Sequence, residues 1–494
     1  MSDEKKKEVI KHFLQEGILI NPAILEKINN IPEFDTFYSN FQKLIHEGVR
    51  ITNDTVLSVI DEITPTPQWN PDPQVKDAKV QVKWSYKADS SKWSMQDFIN
   101  YFSNRYHKLK KILMKRKELS SPSSIGQIRF KGDREEVAAI GLIIDKQLTK
   151  NGNLIFTLED PTGTIKVLIS KNNSQLFAIA KDSQLDECVG VTGQVGDKII
   201  FANNFFLPDI PIYKELVKTP DPAHAIFISD VHVGSNMFLH DAWNKFIRWL
   251  RAETGSEAQR NVVKKIRYLI FAGDLVEGVG IYPNQENDLE IKDIYKQYEK
   301  IAQYLAMIPD YITIIICPGN HDAMRIAEPQ PELYEDYAKP VLDLPNVVSV
   351  SNPGMVNIHA HDGHPGLDIL LYHGYSYVFL ADQVETIRNL GGQERIDLVM
   401  KYCLQRRHLA PTHNSTQYLP TREDHLVIDT IPDIFVSGHI HRVGSVNYRN
   451  ISMVQAGCWL ETTEFQEKLG LKPQPGRVPL MNLQTRQVKV LKFL

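Results

Sequence analysis

The chain has 494 residues, of which 42% are apolar and 23% charged, and a formal net charge of −4. That length exceeds what one core supports and predicts about two to four domains, while the composition excludes a disordered or fibrous chain. The near-neutral charge excludes a chain-wide polyanion-binding surface, so any nucleic-acid contact has to be local.

The N-terminal Met1-Ser2-Asp3-Glu4-Lys5-Lys6-Lys7 is charged and lacks the apolar stretch of a signal peptide. No apolar run approaches the roughly 20 residues that span a bilayer, so a cytoplasmic protein without membrane contact is expected. Residues 1–62 read as a helical module. Val9, Ile10, Phe13, Leu14 and Ile18 recur at helical spacing, as do Leu25, Ile28 and Ile31, then Phe41, Leu44 and Ile45. Residues 63–92 read as a flexible linker, because Pro65, Pro67, Pro71 and Pro73 remove backbone donors and favour extended polyproline conformation. Residues 93–122 read as a basic amphipathic helix with Met95, Phe98, Ile99, Phe102, Tyr106, Leu109 and Leu113 as its apolar stripe. Its second half carries Arg105, Lys108, Lys110, Lys111, Lys115, Arg116 and Lys117, either a phosphate-contacting ridge or a solvated face.

Residues 123–210 hold β-like runs at Glu136–Ile144, Leu154–Asp160 and Thr164–Ile169, then a helical patch at Gln175–Lys181 and strands at Cys188–Val195 and Lys198–Ala202. Asn151-Gly152-Asn153 and Asp160-Pro161-Thr162-Gly163 mark turns between them. Three strands, a helix and two strands resemble an OB-fold, a small barrel that often holds oligonucleotides. Only Phe130, Phe156 and Phe201 offer stacking faces there. The four cysteines, Cys188, Cys317, Cys403 and Cys458, are far apart and argue against a disulfide framework or a zinc finger.

Residues 211–494 carry the chemistry. Ala225–Ser229 leads into Asp230-Val231-His232, Tyr268–Ala272 into Gly273-Asp274, and Ile312–Cys317 into Pro318-Gly319-Asn320-His321-Asp322. Ile369–Tyr372 precedes His373-Gly374, and Ile434–Val436 precedes Gly438-His439-Ile440-His441. Each reads as a buried strand delivering polar residues to a loop, where open α/β sheets place their sites. Two divalent cations about 3.5–4 Å apart can lower the pKa of a water between them and neutralise a phosphodiester. Such a pair needs a shared carboxylate, neutral imidazoles and a few oxygen donors. Asp230, His232, Asp274, Asn320, His373, His439 and His441 supply that set. His321 is left over as a group that could protonate a leaving oxygen, with Asp322 expected to orient it. His359, His361 and His364 read as a solvated glycine-rich turn rather than a third metal site. Arg406-Arg407-His408 reads as an exposed helix end or a nucleic-acid backbone contact, and Tyr375 or Tyr377 as a ring that could stack a base.

The ordered motifs Asp230-x-His232, Gly273-Asp274, Gly319-Asn320-His321-Asp322, His373 and Gly438-His439-x-His441 resemble the calcineurin-type metallophosphoesterase family. That resemblance spans roughly 224 to 460 and implies an α/β/β/α phosphoesterase domain behind the OB-fold and the helical module. It implies one metal on Asp230, His232 and His441, another on Asn320, His373 and His439, and Asp274 bridging, with His321 catalytic. The metal implied is Mn²⁺, or Mg²⁺, Fe²⁺, Zn²⁺ or Ni²⁺. The order of modules resembles the small subunits of archaeal D-family DNA polymerases. This implies a 3′→5′ proofreading exonuclease, a large catalytic subunit as partner, single-stranded or primer-terminus DNA as substrate, a nucleoid-associated setting, and other replication factors as candidates for the N-terminal module. Two other readings are a standalone repair nuclease of the same superfamily, which would lack the barrel, and a mainly non-catalytic assembly subunit.

Overall fold

The structure, a computed structural model, describes residues 2–15, 34–46, 70–77, 79–88, 92–462 and 472–494, with positions 24, 28, 52, 55, 56 and 59. Two compact units are present: Met1–Asn70 with Arg251–Glu253, and a main body of Pro71–Leu250 with Thr254–Leu494. In the first, helices Ser2–Gln15 and Phe34–His46 bury Val9, Phe13, Phe37 and Phe41 with Ile24, Ile28, Val56 and Val59. Phe13 stacks on Phe41 at 6.3 Å. The helical spacing anticipated most of this face, but Leu14 is exposed. Ile18, Leu25, Ile31 and residues 63–69 of the expected linker lie outside the described residues.

Residues 71–88 correct the linker expectation. Strand β1 (Gln81–Ser85) pairs antiparallel with the later strand Gly354–Ile358. Val75 is buried, and the Arg267 guanidinium donates to the carbonyls of Asp72 and Val75 at 3.0 and 3.1 Å. The prolines all precede β1, so they remove no ladder donor from it. The strand hid because it is a five-residue sheet edge with only two apolar positions, Val82 and Trp84, of which Val82 is itself exposed, set in an otherwise polar stretch.

The helix expected over 93–122 runs from Met95 to Leu113, with Ser94 and Asp97 forming its capping box, and a separate turn follows at Lys117–Leu119. It buries Tyr101, Arg105, Tyr106, Leu109 and Leu113, while Met95 and Ile99 of the expected stripe are exposed. Arg105 belongs to the buried face and not to a phosphate ridge. It is 1% exposed and pairs with Asp424 at 2.6 Å. Lys108 is likewise engaged, with Glu423 and Asp429.

Five strands close a barrel in the order β2-β3-β4-β6-β5: β2 (Glu136–Leu148), β3 (Leu154–Asp160), β4 (Gly163–Ile169), β5 (Cys188–Gly196) and β6 (Ile199–Phe206). Helix Ser174–Lys181 lies between β4 and β5, the OB arrangement. Phe156 is core, whereas Phe130 and Phe201 are exposed.

The remaining strands are β7 (His224–Ile228), β8 (Ile266–Ala272), β9 (Thr313–Cys317), β10 (Val347–Ser349), β11 (Gly354–Ile358), β12 (Leu367–Leu371), β13 (Ile434–Ser437), β14 (Gly444–Tyr448), β15 (Ile451–Gln455), β16 (Arg477–Asn482) and β17 (Val488–Lys492). They form two sheets ordered β10-β9-β8-β7-β16-β17 and β1-β11-β12-β13-β15-β14. Phe227, Ile270 and Ile315 of one pack with Ile358, Ile369, Val436 and Val454 of the other in one apolar layer. Helices cover the second sheet's outer face, where Leu380, Val399 and Cys403 meet Leu370, Phe435 and Met453. Strands β7 and β8 are buried at every position and, after His224 and Arg267 at their starts, are continuous apolar runs because both their faces are covered.

The barrel is joined to this domain by a buried polar contact. Glu187, just before β5, accepts from the Tyr402 hydroxyl and from Arg406 Nε at 3.2 Å. Arg406, Arg407 and His408 are therefore neither an exposed helix end nor a nucleic-acid contact: all three are at most 4% exposed. Arg407 donates to the Ile428 carbonyl, and His408 Nε2 donates to Asp424 at 2.9 Å.

Candidate metal centre

The expected ligands gather at the C-terminal ends of parallel strands. β7 ends at Ile228 just before Asp230, β8 at Ala272 before Asp274, β9 at Cys317 before Asn320, β12 at Leu371 before His373, and β13 at Ser437 before His439. The exits are sharp. Asp230, His232, Asp274, His439 and His441 hold φ of 52°, 55°, 54°, 72° and 55°. Side-chain-bearing residues in this left-handed region each cost of order 1–3 kcal/mol, and persist where the surrounding fold imposes them. Two glycines make the approach possible. A Cβ on Gly273 (φ 89°) would collide with the His373 ring, and one on Gly319 with the Asp274 carboxylate.

The donors fall into two clusters. Asp230, His232 and His441 form one, with His441 Nε2 3.4 Å from Asp230 Oδ1. Asp274, His373 and His439 form the other, with His373 Nε2 3.2 Å from Asp274 Oδ2 and 3.0 Å from Asn320 Oδ1. His232 Nε2 lies 3.7 Å from Asp274 Oδ2 and 3.9 Å from Asp230 Oδ1, so Asp274 faces both clusters.

The residues fit divalent cations. Asp230 and Asp274 are buried carboxylates, and burying them together is costly without positive charge. His232 is 2% exposed and neither of its ring nitrogens has a hydrogen-bond partner, although Nδ1 lies 2.8 Å from Glu277 Oε2 at ion-pair distance. Burial opposes charging of His373, but Asp274 outweighs it and raises the imidazole to about 9. Burial likewise opposes ionisation of Asp274, yet His373 and His321 hold its carboxyl well below the usual range. Burial, with His373 adding to it, holds the neighbouring His439 down to about 3, so its imidazole stays neutral, the form that ligates a cation.

His321 stands at the rim. Its backbone N–H donates to Asp274 Oδ1 at 2.8 Å, and its Nδ1 meets the Glu277 carbonyl oxygen at 2.9 Å. Nδ1 is thus the donor, leaving Nε2 as the nitrogen able to exchange a proton with a ligand. This corrects the role expected of Asp322. Its carboxylate is fully buried and accepts from the backbone N–H groups of Gly319, Asp274 and Leu275 at 2.8, 3.1 and 3.1 Å. Asp322 ties the Asp274 loop to the Asn320 loop, and Glu277 orients His321. Burial, then the neighbouring Asp274, pushes the Asp322 carboxyl up to about 7.

Of the two tyrosines, Tyr375 is half-buried with its ring 5.6 Å from His439, whereas Tyr377 is core. His359 is not in a solvated turn. It is fully buried between the Tyr268 hydroxyl at 3.0 Å and Asp221 at 2.8 Å, because the hairpin is anchored on β8 and the preceding joint.

Several supporting residues escaped the sequence reading. Glu277 holds His232 on one side and His321 on the other. Ser229 donates to the Asp230 carboxylate. Asn352 Oδ1 accepts from the His373 N–H at 2.9 Å, its amide donates to Gln330 at 2.7 Å, and Gln330 donates to the Gly319 carbonyl at 3.0 Å. Glu277 lies close to Asp274 in Gly273-Asp274-Leu275-Val276-Glu277, a nearby carboxylate that could have been flagged. Asn352 and Gln330 carry no local signal.

The fold and the site define a calcineurin-like phosphoesterase domain, and the model of that family, calcineurin-like phosphoesterase, matches residues 223–443. Over the whole chain, the DNA polymerase II small subunit of Methanothermobacter thermautotrophicus is 36% identical across 496 aligned residues, covering 98% of this chain and 99% of the relative. That of Archaeoglobus fulgidus is 35% identical, covering 95% and 94%. That of Pyrococcus abyssi is 40% identical over 81% of this chain, which spans only 63% of that longer relative. The chain belongs to the family of archaeal DNA polymerase II small subunits. Among the described residues, no helix is long and apolar enough to cross a membrane.

Proposed function

We propose that the chain is the 3′→5′ exonuclease subunit of a cytoplasmic, nucleoid-associated replicative DNA polymerase. In this reading it removes the terminal nucleotide of single-stranded or frayed DNA as a nucleoside 5′-monophosphate, and it also holds the large polymerase subunit. The observation that carries the proposal is the convergence of seven donors into two clusters facing one carboxylate, Asp274, with His321 at the rim. Asp230, His232 and His441 would hold one cation and Asn320, His373 and His439 the other. The mixed nitrogen and oxygen set suits Mn²⁺, with Mg²⁺, Fe²⁺, Zn²⁺ and Ni²⁺ as its competitors. When bound, the cation pair supplies a nucleophilic water at neutral pH and neutralises the phosphodiester.

The chain's own residues do the rest. Glu277 keeps the His232 Nε2 lone pair pointed at the carboxylates, and its carbonyl keeps His321 Nε2 free. The water loses a proton to solvent as its oxygen bonds to phosphorus, the bond to the 3′ oxygen breaks, and His321, entering protonated at Nε2, delivers that proton to the departing oxygen. The 5′-phosphate stays with the released nucleotide. The names of the relatives, small subunits of a DNA polymerase, support a large partner subunit.

The test is Mn²⁺-dependent digestion of single-stranded DNA labelled at either end. Nucleoside 5′-monophosphates released from the 3′ end are expected, with Asp274→Ala inactive and His321→Ala slowed by about 10²–10⁴-fold. Ends carrying 3′-phosphate, or undiminished activity in Asp274→Ala, would overturn the assignment.

A further inference from the structure

A groove of about 870 Å³ opens beside His439, on the His373–His439 side of the metal centre. Phe98, Tyr375, Phe379 and Tyr418 give it aromatic walls. Among the described residues that line it there is no lysine or arginine, and the one carboxylate is Asp382. A phosphate backbone would need cations that the walls lack. Flat, uncharged ligands are what aromatic faces and neutral amides, here Gln383 and Asn414, bind well.

Part of this wall is the helix stripe that the fold leaves unburied. Phe98 is 37% exposed, and its neighbours Met95 and Ile99 are more so, although helical spacing marked all three for a core. The helix is held rigidly here. Tyr101 stacks on Tyr418 at 5.0 Å and 12°, Phe98 meets the edge of Tyr418 at 6.3 Å, and the Tyr418 hydroxyl is 2.6 Å from His413 Nδ1. An exposed aromatic set this firmly mounted beside a catalytic centre is pre-organised for a ligand.

We propose that this groove binds the base of the 3′-terminal region of the substrate strand by stacking on Phe98 and Tyr375, and so makes the centre selective for unpaired ends. The inference rests on the exonuclease reading above. A phosphodiester placed at the metal centre leaves its attached nucleoside at the groove mouth, next to His439. A base lies flat on an aromatic wall only after leaving its duplex stack and its pairing partner. A mismatched terminus does so at lower cost than a paired one. The neutral amides accept any of the four bases, as removal of any misplaced nucleotide requires.

The experiment compares two Mn²⁺-dependent substrates on the full chain: single-stranded DNA ending in adenine, and the same strand ending in an abasic tetrahydrofuran residue. The wild type is expected to show a KM about tenfold lower for the base-ended strand, consistent with the loss of one stacked base. In Phe98→Ala and in Tyr375→Ala that ratio falls towards one, and Phe98→Tyr restores it. A wild type that treats both strands alike, or variants that slow both equally, overturns the proposal. If neither strand is cut, the exonuclease reading fails separately. The groove is then tested by the fluorescence of a 3′-terminal 2-aminopurine, whose quenching on binding must disappear in Phe98→Ala. Quenching that persists, or is absent from the wild type, rejects the groove as a base site.

Discussion

At the scale of single residues, the candidate metal centre depends on groups outside the proposed ligand set. Glu277 reaches His232 Nδ1 with its carboxylate and His321 Nδ1 with its carbonyl, so one residue sets the direction of a metal ligand and of the proposed acid. Loss of such a supporting carboxylate typically weakens metal binding by about 10–100-fold. Glu277→Gln is therefore expected to raise the Mn²⁺ dissociation constant by that factor, measured by calorimetry, while kcat at saturating metal falls much less. Its carbonyl, which orients His321, is retained. An unchanged metal affinity would show that His232 is held by its own loop. Asp230, His232, Asp274, Asn320, His373, His439 and His441 were all recognisable because each follows an apolar strand at a glycine- or Asp/His-rich exit. Asp322 was recognisable but misread: its neighbour in sequence is His321, yet its carboxylate turns inward to four backbone N–H groups.

At the scale of elements, the helix Met95–Leu113 is pinned by a buried polar cluster. Tyr101 and Arg105 both reach Asp424, at 2.8 and 2.6 Å, and His408 Nε2 reaches it at 2.9 Å. Removing one member leaves buried charge behind, so Asp424→Asn is expected to cost about 3–5 kcal/mol in denaturant unfolding. The same cluster predicts a pH dependence. His408 Nδ1 accepts the Ala410 N–H at 3.0 Å, which leaves no room for a second proton. Burial, with Arg105 adding to it, holds His408 down at about 4. The folded pKa lies below the ordinary value near 6.5, so the folded state binds this proton less readily than the unfolded one. His408 thus contributes its full stability above pH 6.5, and about 3 kcal/mol is lost as pH falls from there to about 4. His408→Asn is expected to flatten the stability profile across that window. A profile parallel to that of the wild type would contradict the assignment. The apolar stripe of this helix was visible in sequence, but which half would be buried was not. Helical spacing identifies a face, and the partners of that face lie hundreds of residues away.

At the scale of the whole molecule, each of the two units has its own apolar core. A chain beginning at Pro71 is therefore expected to keep the thermal midpoint of the main body within a few degrees, and to keep its metal affinity, by differential scanning and calorimetry. Within the main body, the barrel and the phosphoesterase domain share Tyr402, Arg406 and Glu187, and the helix residues Tyr106, Leu109 and Leu113 pack with Ile140 and Cys188 of the barrel and with Val427. The barrel is thus fixed to the phosphoesterase domain rather than tethered to it.

The sequence by itself determined the strands that carry the site and their exits, and it singled out the residues proposed as metal ligands, because apolar runs ending in Asp, Asn, His and Gly are local signals with local causes. It also marked the helix and the five barrel strands, from the apolar spacing, turns and strand lengths along residues 93–206, but it misjudged residues 71–88 as linker. Only the tertiary structure decided that 81–85 is an edge strand, that Arg105, Arg406 and His408 are interior, and that Asn352, Gln330 and Glu277 support the metal centre. Those roles depend on partners far away in the chain. Burial of a charged or amide side chain becomes favourable only once the fold brings its partner to hydrogen-bonding distance.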